Sequence, residues 1–392
     1  MIQSYDLYLP THLIFGKGRV KELGRLIKGY GSKVLLTYGG GSVKRIGLYD
    51  TVREILHQEG CTVFELSGIA PNPKIESVRE GVRIVKENAI DFIVAIGGGS
   101  VLDCSKAIAC GAGYDGDPWD LVIHRDRIGK KLPVFDVMTM SATGSEYDGG
   151  GVITNEETKE KLSVGGCYPV ASILDPEYTF TVPANQTAAG ISDILSHTFE
   201  QYFVSEGSML SDGFCESMLR TVMKYAPVAI KDPTNFEARG EVLAASSFGC
   251  CGLLGLGRTP SPWPCHGIEH EVSAWYDITH GVGLAIITPH WMQWCLDTDP
   301  ALVAPKFAQY GVNVFGLNPA DGVDVNAAKA IEKTAEFFRS IGITQTLSDF
   351  GIDDSHFEAM AEHVTTAWVG DYKYAFVPMD KEAVLAVLRA SL

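Results

Sequence analysis

The sequence predicts an α/β domain over residues 1–182, followed by an all-α domain over residues 183–392. In the first half, short apolar runs alternate with segments of helical apolar spacing, a rhythm typical of a parallel sheet with crossover helices. From Gln186 onward the spacing is mainly helical and strand-like runs almost disappear. The change follows Asp175-Pro176 and Pro183, so we expect the domain boundary near residue 182.

The predicted elements of the first half follow one another in order. Residues 5–15 predict an edge strand or hairpin, and a helical pattern then runs through Leu26. Apolar runs that stop at turn residues predict buried strands at 33–38, 92–96 and the beginning of 132–145. Another strand is predicted at 62–66. Helices are predicted at about 49–58, at 75–87 and from 101 onward, with a hairpin at 149–159.

Composition restricts the possible partners. The 392 residues are 46% hydrophobic and 20% charged, as is usual for folded domains. The net charge of −16 and the pI near 5.0 argue against binding to nucleic acid or to an anionic membrane surface, because both are bound by clustered Lys and Arg. We therefore expect small-molecule ligands.

The sequence also predicts no export or membrane segment. Residues 1–18 contain an early acid, Asp6, and lack the basic and apolar regions of a signal peptide. No apolar run approaches the length of a membrane span. The 9 cysteines include no C-x-x-C pair, and such a scattered set predicts reduced thiols in a cytoplasmic protein.

Two predicted strands are each followed by a turn of the same sequence, Gly-Gly-Gly-Ser. These turns are Gly39-Gly40-Gly41-Ser42 and Gly97-Gly98-Gly99-Ser100. After a buried strand, such a turn brings backbone N–H groups and a helix N-terminus to one point, which favours a phosphate group. The glycines of a single turn could equally serve only to reverse the chain. Two such turns in one sheet predict a dinucleotide site at the carboxyl ends of parallel strands, although neither is a G-x-G-x-x-G fingerprint.

A third candidate segment is the turn that ends residues 132–145. It carries hydroxyl groups on Thr139, Ser141, Thr143 and Ser145, which suit pyrophosphate and ribose oxygens. Each hydroxyl could instead bond its own backbone, as turn hydroxyls often do. Lys161 lies just beyond the predicted hairpin.

Histidines and an acid recur at helical spacing in the second half. Asp193 and His197 are four residues apart in a segment without internal Pro, so a helix places both on one face. His266 and His270 repeat that spacing, and His280 precedes a Gly-Val-Gly where a helix should begin or break. Carboxylate and imidazole donors from separate helices suit a divalent metal. One such pair alone would more often be a surface pair or a satisfied core histidine, but the repetition favours a metal.

The same segment permits a second interpretation. The sequence from His266 to His270 matches the inverted H-x-x-E-H pattern of zinc proteases, in which both histidines bind zinc and the glutamate is the general base. The pattern is short, and a hydrolase of this kind would leave the two glycine turns and the Asp193/His197 pair without a role.

Together these residues resemble a known family. Asp193, His197, His266 and His280, with Gly97-Gly98-Gly99-Ser100-x-x-Asp103-x-x-Lys106 and Phe15-Gly16-x-Gly18, closely resemble the iron-containing (group III) alcohol dehydrogenases over essentially the whole chain. The turn 38–42 and the segment 141–146 are similar to those of the butanol dehydrogenase and broad aldehyde reductase branch. The resemblance implies a dinucleotide-binding domain of the dehydroquinate-synthase-like type, a helical domain, and a metal in the cleft between them.

The resemblance also implies an activity and roles for residues. It implies an NAD(P)-linked alcohol dehydrogenase or aldehyde reductase, expected to be a homodimer, that interconverts primary alcohols and aldehydes such as butanol and butyraldehyde. The metal would be Fe²⁺, with Zn²⁺ or Mn²⁺ as other occupants. His270 matches a histidine beside the metal, which would either relay a proton or support a ligand by a hydrogen bond. The residues expected to bind the cofactor are Gly39, Gly40, Ser42, Gly97, Gly98, Gly99, Ser100, Asp103, Thr139, Ser141, Thr143, Ser145, Lys161 and Tyr178.

The turn after the strand at 33–38 favours NADP(H) over NAD(H). Sites for NAD commonly place an acid at a strand end, where it binds the adenosine ribose and repels a 2′-phosphate. Here the strand ends in glycines and Ser42, with Lys44 and Arg45 close behind. If these two basic side chains are only solvated, NADH and NADPH would be nearly equivalent.

An uncharged aldehyde or primary alcohol is the expected substrate. Trp263, Trp275 and Tyr276 flank the metal-ligand segments, and no basic residue adjoins those segments except Arg258. A zinc-dependent polyol dehydrogenase or a dehydroquinate-synthase-like lyase of the same fold is an alternative, but those relatives resemble three-ligand zinc sites without the His197 position. A non-catalytic nucleotide-binding module is a third alternative, which the full ligand set disfavours.

Overall fold

The protein divides into two compact units. A computed structural model describes residues 2–367 and 371–392. One unit, here called the sheet unit, consists of residues 8–183 and 233–251. The other, the helical unit, consists of the described residues among 2–7, 184–232 and 252–392. The predicted domains, 1–182 and 183–392, are two consecutive segments, whereas residues 233–251 return to the sheet unit.

A parallel sheet lies at the centre of the sheet unit. The strands of the described chain are β1 (His12–Phe15), β2 (Lys33–Tyr38), β3 (Thr62–Leu66), β4 (Phe92–Gly97), β5 (Val134–Met138), β6 (Gly151–Asn155), β7 (Glu160–Val164) and β8 (Ala171–Leu174). β6 and β7 form a separate antiparallel hairpin. The other strands form one sheet in the order β1-β8-β5-β4-β2-β3, and all neighbours in it are parallel.

The strand order reverses beside β2. The chain passes from β2 outward to β3 and then returns to the other side of β2 to form β4. The register brings the carboxyl ends of the central strands to one edge, because Tyr38 pairs with Ile96, Gly97 with Met138, and Met138 with Leu174. In open parallel sheets, ligands bind outside the carboxyl ends of the strands at such a reversal.

α-Helices alternate with the strands and form most of the helical unit. In the described chain they are α1 (Leu23–Ile27), α2 (Ser42–Arg45), α3 (Leu48–Gln58), α4 (Ile75–Asn88), α5 (Gly99–Gly111), α6 (Trp119–Ile123), α7 (Ala184–Tyr202), α8 (Met209–Lys231), α9 (Phe236–Gly249), α10 (Pro264–Tyr276), α11 (His280–Thr298), α12 (Pro300–Phe315), α13 (Val323–Ser340), α14 (Phe357–Ala367) and α15 (Lys381–Ala390). Helices α1–α6 and α9 belong to the sheet unit, and the rest belong to the helical unit. None of the helices in the described ranges is long and apolar enough to cross a membrane.

The predicted fold class, an α/β sheet domain with a helical domain after it, is confirmed. β2 and β3 begin and end at the predicted residues, and β4 is one residue longer than predicted. Within residues 5–15 the structure has the edge strand β1 rather than a hairpin. β8 was not predicted, because a four-residue strand carries little pattern of its own.

Each unit has its own apolar core. In the sheet unit, buried residues of the strands, such as Leu36 and Ile96, pack with residues of the helices, such as Leu56. In the helical unit, the ring of Phe203 lies 4.9 Å from that of Phe307 and 5.4 Å from that of Tyr310. Burying each such side chain contributes about 1.5–3 kcal/mol, so these cores hold the site-bearing helices in place.

Candidate metal centre and cofactor turns

Helix α7 positions the first two candidate metal ligands. Every residue of this helix from Thr187 to Tyr202 is buried, so its path through the helical unit is fixed by packing on all sides. Asp193 and His197 lie one turn apart on this helix. The Asp193 Oδ1 atom is 3.4 Å from His197 Nε2.

Helices α10 and α11 bring in the other two. His266 lies in the first turn of α10, and His280 is the first residue of α11. The Nε2 atoms of both rings are 3.6 Å from Asp193 Oδ1. Asp193, His266 and His280 therefore form a group whose donor atoms all lie within 4.8 Å of one another. One carboxylate oxygen faces three imidazole nitrogens from three helices.

The four donors fit a divalent metal. Asp193 Oδ1 and His266 Nε2 are buried, and neither atom has a hydrogen-bond partner among the described residues. Leaving such atoms unsatisfied costs about 1–3 kcal/mol each, so an additional group is expected between them. Metal bonds of about 2.1 Å in a tetrahedral site separate neighbouring donors by about 3.4 Å. The distances of 3.4–3.6 Å from Asp193 Oδ1 to the three Nε2 atoms are close to this value, although His197 lies outside the group whose donors are all within 4.8 Å of one another. Oxygen and imidazole donors accept iron, zinc and manganese alike.

Aromatic rings hold the candidate ligands on one side. The rings of His197 and His266 are stacked, with centroids 4.6 Å apart and an interplanar angle of 16°. The ring of Trp263 stands edge-on to both, at 6.0 Å from His197 and 5.4 Å from His266. The ring of Trp275, another aromatic residue that flanks the ligand segments in sequence, stacks on that of His356 at 4.2 Å.

Burial and charge act in opposite directions on the pKa values of the cluster. Burial alone would raise the pKa of Asp193, but the three neighbouring imidazoles lower it below its usual range. Burial lowers the pKa of His197 to about 3. Burial would also lower the pKa of His266, yet Glu200 and Asp193 together raise it to about 9. A metal would have to displace this proton, since it binds the deprotonated nitrogen.

His270 lies beside the cluster. It is buried, and its ring centroid is 6.2 Å from that of His266 and 5.2 Å from that of His280. Glu269, which precedes it, accepts hydrogen bonds from His280 Nδ1 and from Ser273 Oγ. This carboxylate is therefore hydrogen-bonded to a candidate ligand. The protease interpretation would require it to act as a general base instead.

Two carboxylates at the centre were missed from the sequence as functional residues. Glu200 accepts a hydrogen bond from His266 Nδ1, and Glu269 accepts one from His280 Nδ1. Glu200 follows Asp193 by seven residues and His197 by three, so extending the helical spacing would have placed it on the same face. Glu269 had been noted only as part of the protease-like pattern.

The glycine turns lie together at the carboxyl edge of the sheet. The turn after Tyr38 ends β2, and Gly98 precedes α5 at the end of β4, so the turns flank the reversal of strand order. A Cβ atom on Gly39 would lie 3.7 Å from Val101 Cγ2, which shows how closely the turns approach. A Cβ atom on Gly97 would come within 2.6 Å of the same methyl group. Glycine is therefore needed at 97 by packing alone.

The hydroxyl-bearing turn follows β5 at the same edge. Thr139 N donates to Gly97 O, which ties the turn to the end of β4. Ser145 Oγ donates to Asp103 Oδ1, and Val152 N donates to Asp103 Oδ2. Both oxygens of Asp103 thus contact protein groups. Burial raises the pKa of this carboxyl to about 6, although Lys106 opposes the effect.

The remaining predicted cofactor residues lie in several different elements of the sheet unit. Ser42 is the first residue of α2, and Ser100 is the second of α5. Tyr178 belongs to the 3₁₀ turn after β8, and Lys161 is a buried residue of β7, outside the main sheet. The fully buried Lys106 donates to the carbonyl groups of Ser145, Asp148 and Gly150. Their roles in cofactor binding stay predictions.

Comparison with known proteins agrees with this arrangement. The family model "Iron-containing alcohol dehydrogenase" matches residues 10–176, and the model "Fe-containing alcohol dehydrogenase family, C-terminal" matches residues 187–392. The chain is 47% identical to NADH-dependent butanol dehydrogenase A of Clostridium acetobutylicum over 99% of each chain. It is 36% identical to the NADPH-dependent aldehyde reductase YqhD of Escherichia coli over 92% of each.

A solved structure is similar over the whole chain. The crystal structure of NADH-dependent butanol dehydrogenase A from Thermotoga maritima superimposes with a TM-score of 0.93. The sequence identity is 36%, and the match covers 100% of this chain and 99% of that one. The two proteins therefore share one fold over their whole length.

Proposed function

This chain belongs to the iron-containing alcohol dehydrogenase family, and we propose that Asp193, His197, His266 and His280 are its metal ligands. It is an enzyme that interconverts alcohols and aldehydes with a metal and a nicotinamide cofactor. One observation carries the ligand assignment. Three Nε2 atoms lie 3.4–3.6 Å from one buried carboxylate oxygen that has no hydrogen-bond partner in the described chain.

The alternatives from the sequence are not favoured. A metallopeptidase would use Glu269 as a base, but this carboxylate is bound to His280 and Ser273. A polyol dehydrogenase of the same fold is disfavoured by the relatives at 36–47% identity, whose names are butanol dehydrogenase and aldehyde reductase. The side chain of His197, which such sites lack, also faces Asp193 here.

The chemistry can be divided between the metal and the chain. A divalent metal supplies a Lewis acid that polarises the carbonyl oxygen of an aldehyde and stabilises the negative charge that develops on it. Asp193 would reduce the net charge of the ion, and the imidazoles would hold it without thiolate ligands. Trp263 stands edge-on to the stacked His197 and His266 rings and helps to fix their position. We assign proton exchange with the alcohol oxygen to His270, whose ring lies 5.2 Å from that of His280.

The identity of the metal follows from the family rather than from the donor set. Fe²⁺ is the proposed occupant, with Zn²⁺ or Mn²⁺ able to replace it, because all three accept carboxylate and imidazole donors. Which of them is bound in the cell depends on metal availability as well as on affinity.

The cofactor is proposed to bind at the carboxyl edge of the sheet. The turns 39–42 and 97–100 supply backbone N–H groups for the phosphates, at the point where the strand order reverses. The hydroxyl groups of the turn after β5 and the residues Asp103, Lys161 and Tyr178 complete the proposed set.

Within this site, NADP(H) is the proposed preference. Relatives of this chain are named for either cofactor, NADH in Clostridium acetobutylicum and NADPH in Escherichia coli. The proposal therefore rests on the turn itself. Gly40, Gly41 and Ser42 are exposed and carry no acid, and the Arg45 guanidinium would lie 3.3 Å from a Cβ atom on Gly41. Lys44 is less available, because its ammonium group lies over the rings of Tyr38 and Tyr49.

The substrate is proposed to be an uncharged aldehyde or primary alcohol of modest length. Arg258, the one basic residue that adjoins the ligand segments in sequence, is buried and donates to Gln201 O and to Asp212 Oδ1. It is therefore committed to structural contacts rather than to a substrate carboxylate.

Activity with two carbonyl compounds tests the proposal. Protein loaded with Fe²⁺ or Zn²⁺ is mixed with NADPH and with butyraldehyde or pyruvate, and the near-ultraviolet absorbance of NADPH is followed. We expect a higher kcat/KM for butyraldehyde. A much higher value for pyruvate would contradict the uncharged-substrate proposal, and no turnover with any simple aldehyde would contradict the reaction itself.

A homodimer is also proposed, from the resemblance to the family. Sedimentation equilibrium at micromolar concentration measures the mass directly against the 42.4 kDa of one chain. A mass equal to that of the monomer would contradict the proposal.

A further inference from the structure

Glu200 connects a candidate metal ligand to the start of a helix. The side chain is buried, and one oxygen accepts a hydrogen bond from His266 Nδ1 at 2.6 Å. The same carboxylate accepts the backbone N–H groups of Cys265 at 2.5 Å and His266 at 3.1 Å. These N–H groups lie in the first turn of α10 and have no partner within the helix, so Glu200 also satisfies the helix N-terminus.

Glu269 makes a parallel contact on the second ligand. It is fully buried and accepts hydrogen bonds from His280 Nδ1 and Ser273 Oγ. The chain leaves room for this side chain, since a Cβ atom on Gly283 would come within 2.8 Å of Glu269 Cγ. Gly283 therefore makes space on α11 for the carboxylate that holds His280.

These contacts fix the orientation of two rings. A carboxylate can only accept, so the Nδ1 atoms of His266 and His280 carry hydrogens. Each ring then presents Nε2 toward Asp193 Oδ1, at 3.6 Å in both cases. A carboxylate on the opposite nitrogen also makes an imidazole a stronger donor to a metal.

We propose that Glu200 and Glu269 are positioning residues, which hold His266 and His280 in the orientation that retains the metal. The proposal rests on the ligand assignment under the proposed function and adds to it the groups that decide how tightly the ion is held. It also gives a role to the glutamate of the protease-like pattern.

His197 provides a contrast within the same site. Its Nδ1 atom is buried and has no hydrogen-bond partner in the described part of the chain. Its ring is held by stacking on His266 and by the edge of Trp263 instead. Two of the three imidazoles thus have a carboxylate behind them, and the third is held by packing.

Cobalt binding tests this proposal without reference to turnover. Metal is removed from the full-length protein by a chelator, and Co²⁺ is titrated back while the visible absorbance of the bound ion is followed, with a chromophoric chelator as competitor. We expect Glu200→Gln and Glu269→Gln to bind Co²⁺ about 10–100-fold more weakly than the parent. The absorption bands of the bound ion should also shift, because the donor strength of one imidazole changes.

Glu271→Gln is the matched control. Glu271 is also a buried acid on α10 beside a histidine, but its contact is with His363 Nδ1 at 2.7 Å. The affinity of the Glu271→Gln variant for Co²⁺ should equal that of the parent. If Glu200→Gln and Glu269→Gln bind Co²⁺ as tightly as this control, the positioning role is refuted.

Two further outcomes are distinguishable. If the parent itself binds Co²⁺ no better than His197→Ala, the ligand assignment fails and not merely the role of the glutamates. Glu200→Gln removes charge from a helix N-terminus and can lower the melting temperature of the metal-free protein. Should it fail to fold, Glu269→Gln decides the question, and a normal cobalt affinity in that variant overturns the proposal.

Discussion

The backbone of Gly281 lies directly against the carbonyl group of Ala189, where α11 meets α7. A Cβ atom on Gly281 would overlap the Ala189 oxygen and come within 2.6 Å of its carbonyl carbon. Both partners are backbone atoms, so neither can move aside alone. The contact sets the distance between α7, which carries Asp193, and His280, the first residue of α11.

Gly281→Ala is therefore expected to separate the two helices. The overpacking should lower the free energy of unfolding by about 1–3 kcal/mol. It should also weaken metal binding, because His280 Nε2 would move from its position 3.6 Å from Asp193 Oδ1. Thermal melting of the metal-free protein and titration with Co²⁺ measure the two effects.

Gly213→Ala is the matched control for that change. Gly213 lies inside α8, and a Cβ atom there would meet nothing within 4 Å. We expect unchanged metal affinity and a gain of up to about 1 kcal/mol, since alanine favours the helix. Equal metal affinity in Gly281→Ala and Gly213→Ala would show that the close approach of α11 to α7 does not position His280.

His197→Ala should abolish turnover and metal retention. The substitution removes one of the four proposed donors, whose Nε2 atom lies 3.4 Å from Asp193 Oδ1. We therefore expect the ion to be held more weakly and to be lost on dialysis against a chelator. Binding of NADPH, followed by its fluorescence, should persist because the proposed phosphate turns belong to the sheet unit. His290→Ala, about 15 Å further along α11 from His280, serves as control. Full metal occupancy in His197→Ala would contradict the assignment.

Local pattern predicted much of the sheet because the central strands are continuous apolar runs that end in glycine. β2 was predicted residue for residue on this basis. The bounds of the edge strand β3 were predicted as well, although Glu65 interrupts its apolar run and Ser67 follows it. β1 and β8 have four residues each and exist as strands because they pair with each other and, for β8, with β5. The return of residues 233–251 to the sheet unit is likewise a tertiary effect, which helical spacing does not reveal.

The candidate ligands were predictable because they occur at helical spacing, whereas the hydrogen bonds that orient them were not. Asp193 and His197 share a helix face, and the structure brings His266 and His280 to the same carboxylate oxygen. The contact of Glu200 with His266 joins residues 66 positions apart, and no local signal encodes it. The hydrogen bond from the Ser145 hydroxyl to the Asp103 carboxylate likewise joins two distant segments, and the sequence pattern does not reveal it.

Glu146→Gln should reduce the loss of stability at alkaline pH. Burial raises the pKa of Glu146 to about 7 from its usual 4.5, although a hydrogen bond from Ser247 Oγ opposes the shift. The folded state therefore binds the proton more tightly, and this contribution to stability is present below pH 4.5 and lost as the pH rises through 7. The loss is of the order of 3 kcal/mol at most.

Urea unfolding at pH 5 and pH 8 measures this effect. The decline between the two pH values should be smaller in Glu146→Gln than in the parent, because the amide oxygen still accepts from Ser247 and does not ionise. Glu157→Gln, at an exposed position of the hairpin turn, should decline as the parent does. Identical declines in all three proteins would show that Glu146 does not titrate in the folded state.

The cofactor turn contains three glycines, and only Gly40 has open space for a side chain. A Cβ atom on Gly39 would lie 3.1 Å from the backbone oxygen of Ile69, so an acid there would strain the turn as well as add charge. Gly40 is exposed, and a Cβ atom on it would meet nothing within 4 Å. A substitution at Gly40 therefore changes charge with little change of packing.

Gly40→Asp is expected to reverse or remove a preference for NADPH. A carboxylate beside the proposed 2′-phosphate position should lower kcat/KM for NADPH by about tenfold or more, since about 1.4 kcal/mol of repulsion suffices for a factor of ten. The value for NADH should change little, because the ribose hydroxyl can donate to the new acid.

Gly40→Asn has the same size without the charge and should keep the cofactor preference of the parent. Equal losses in Gly40→Asp and Gly40→Asn with both cofactors would indicate a backbone effect instead. A parent that prefers NADH by about tenfold or more would overturn the argument from the turn, since the absence of an acid would then have no bearing on the choice.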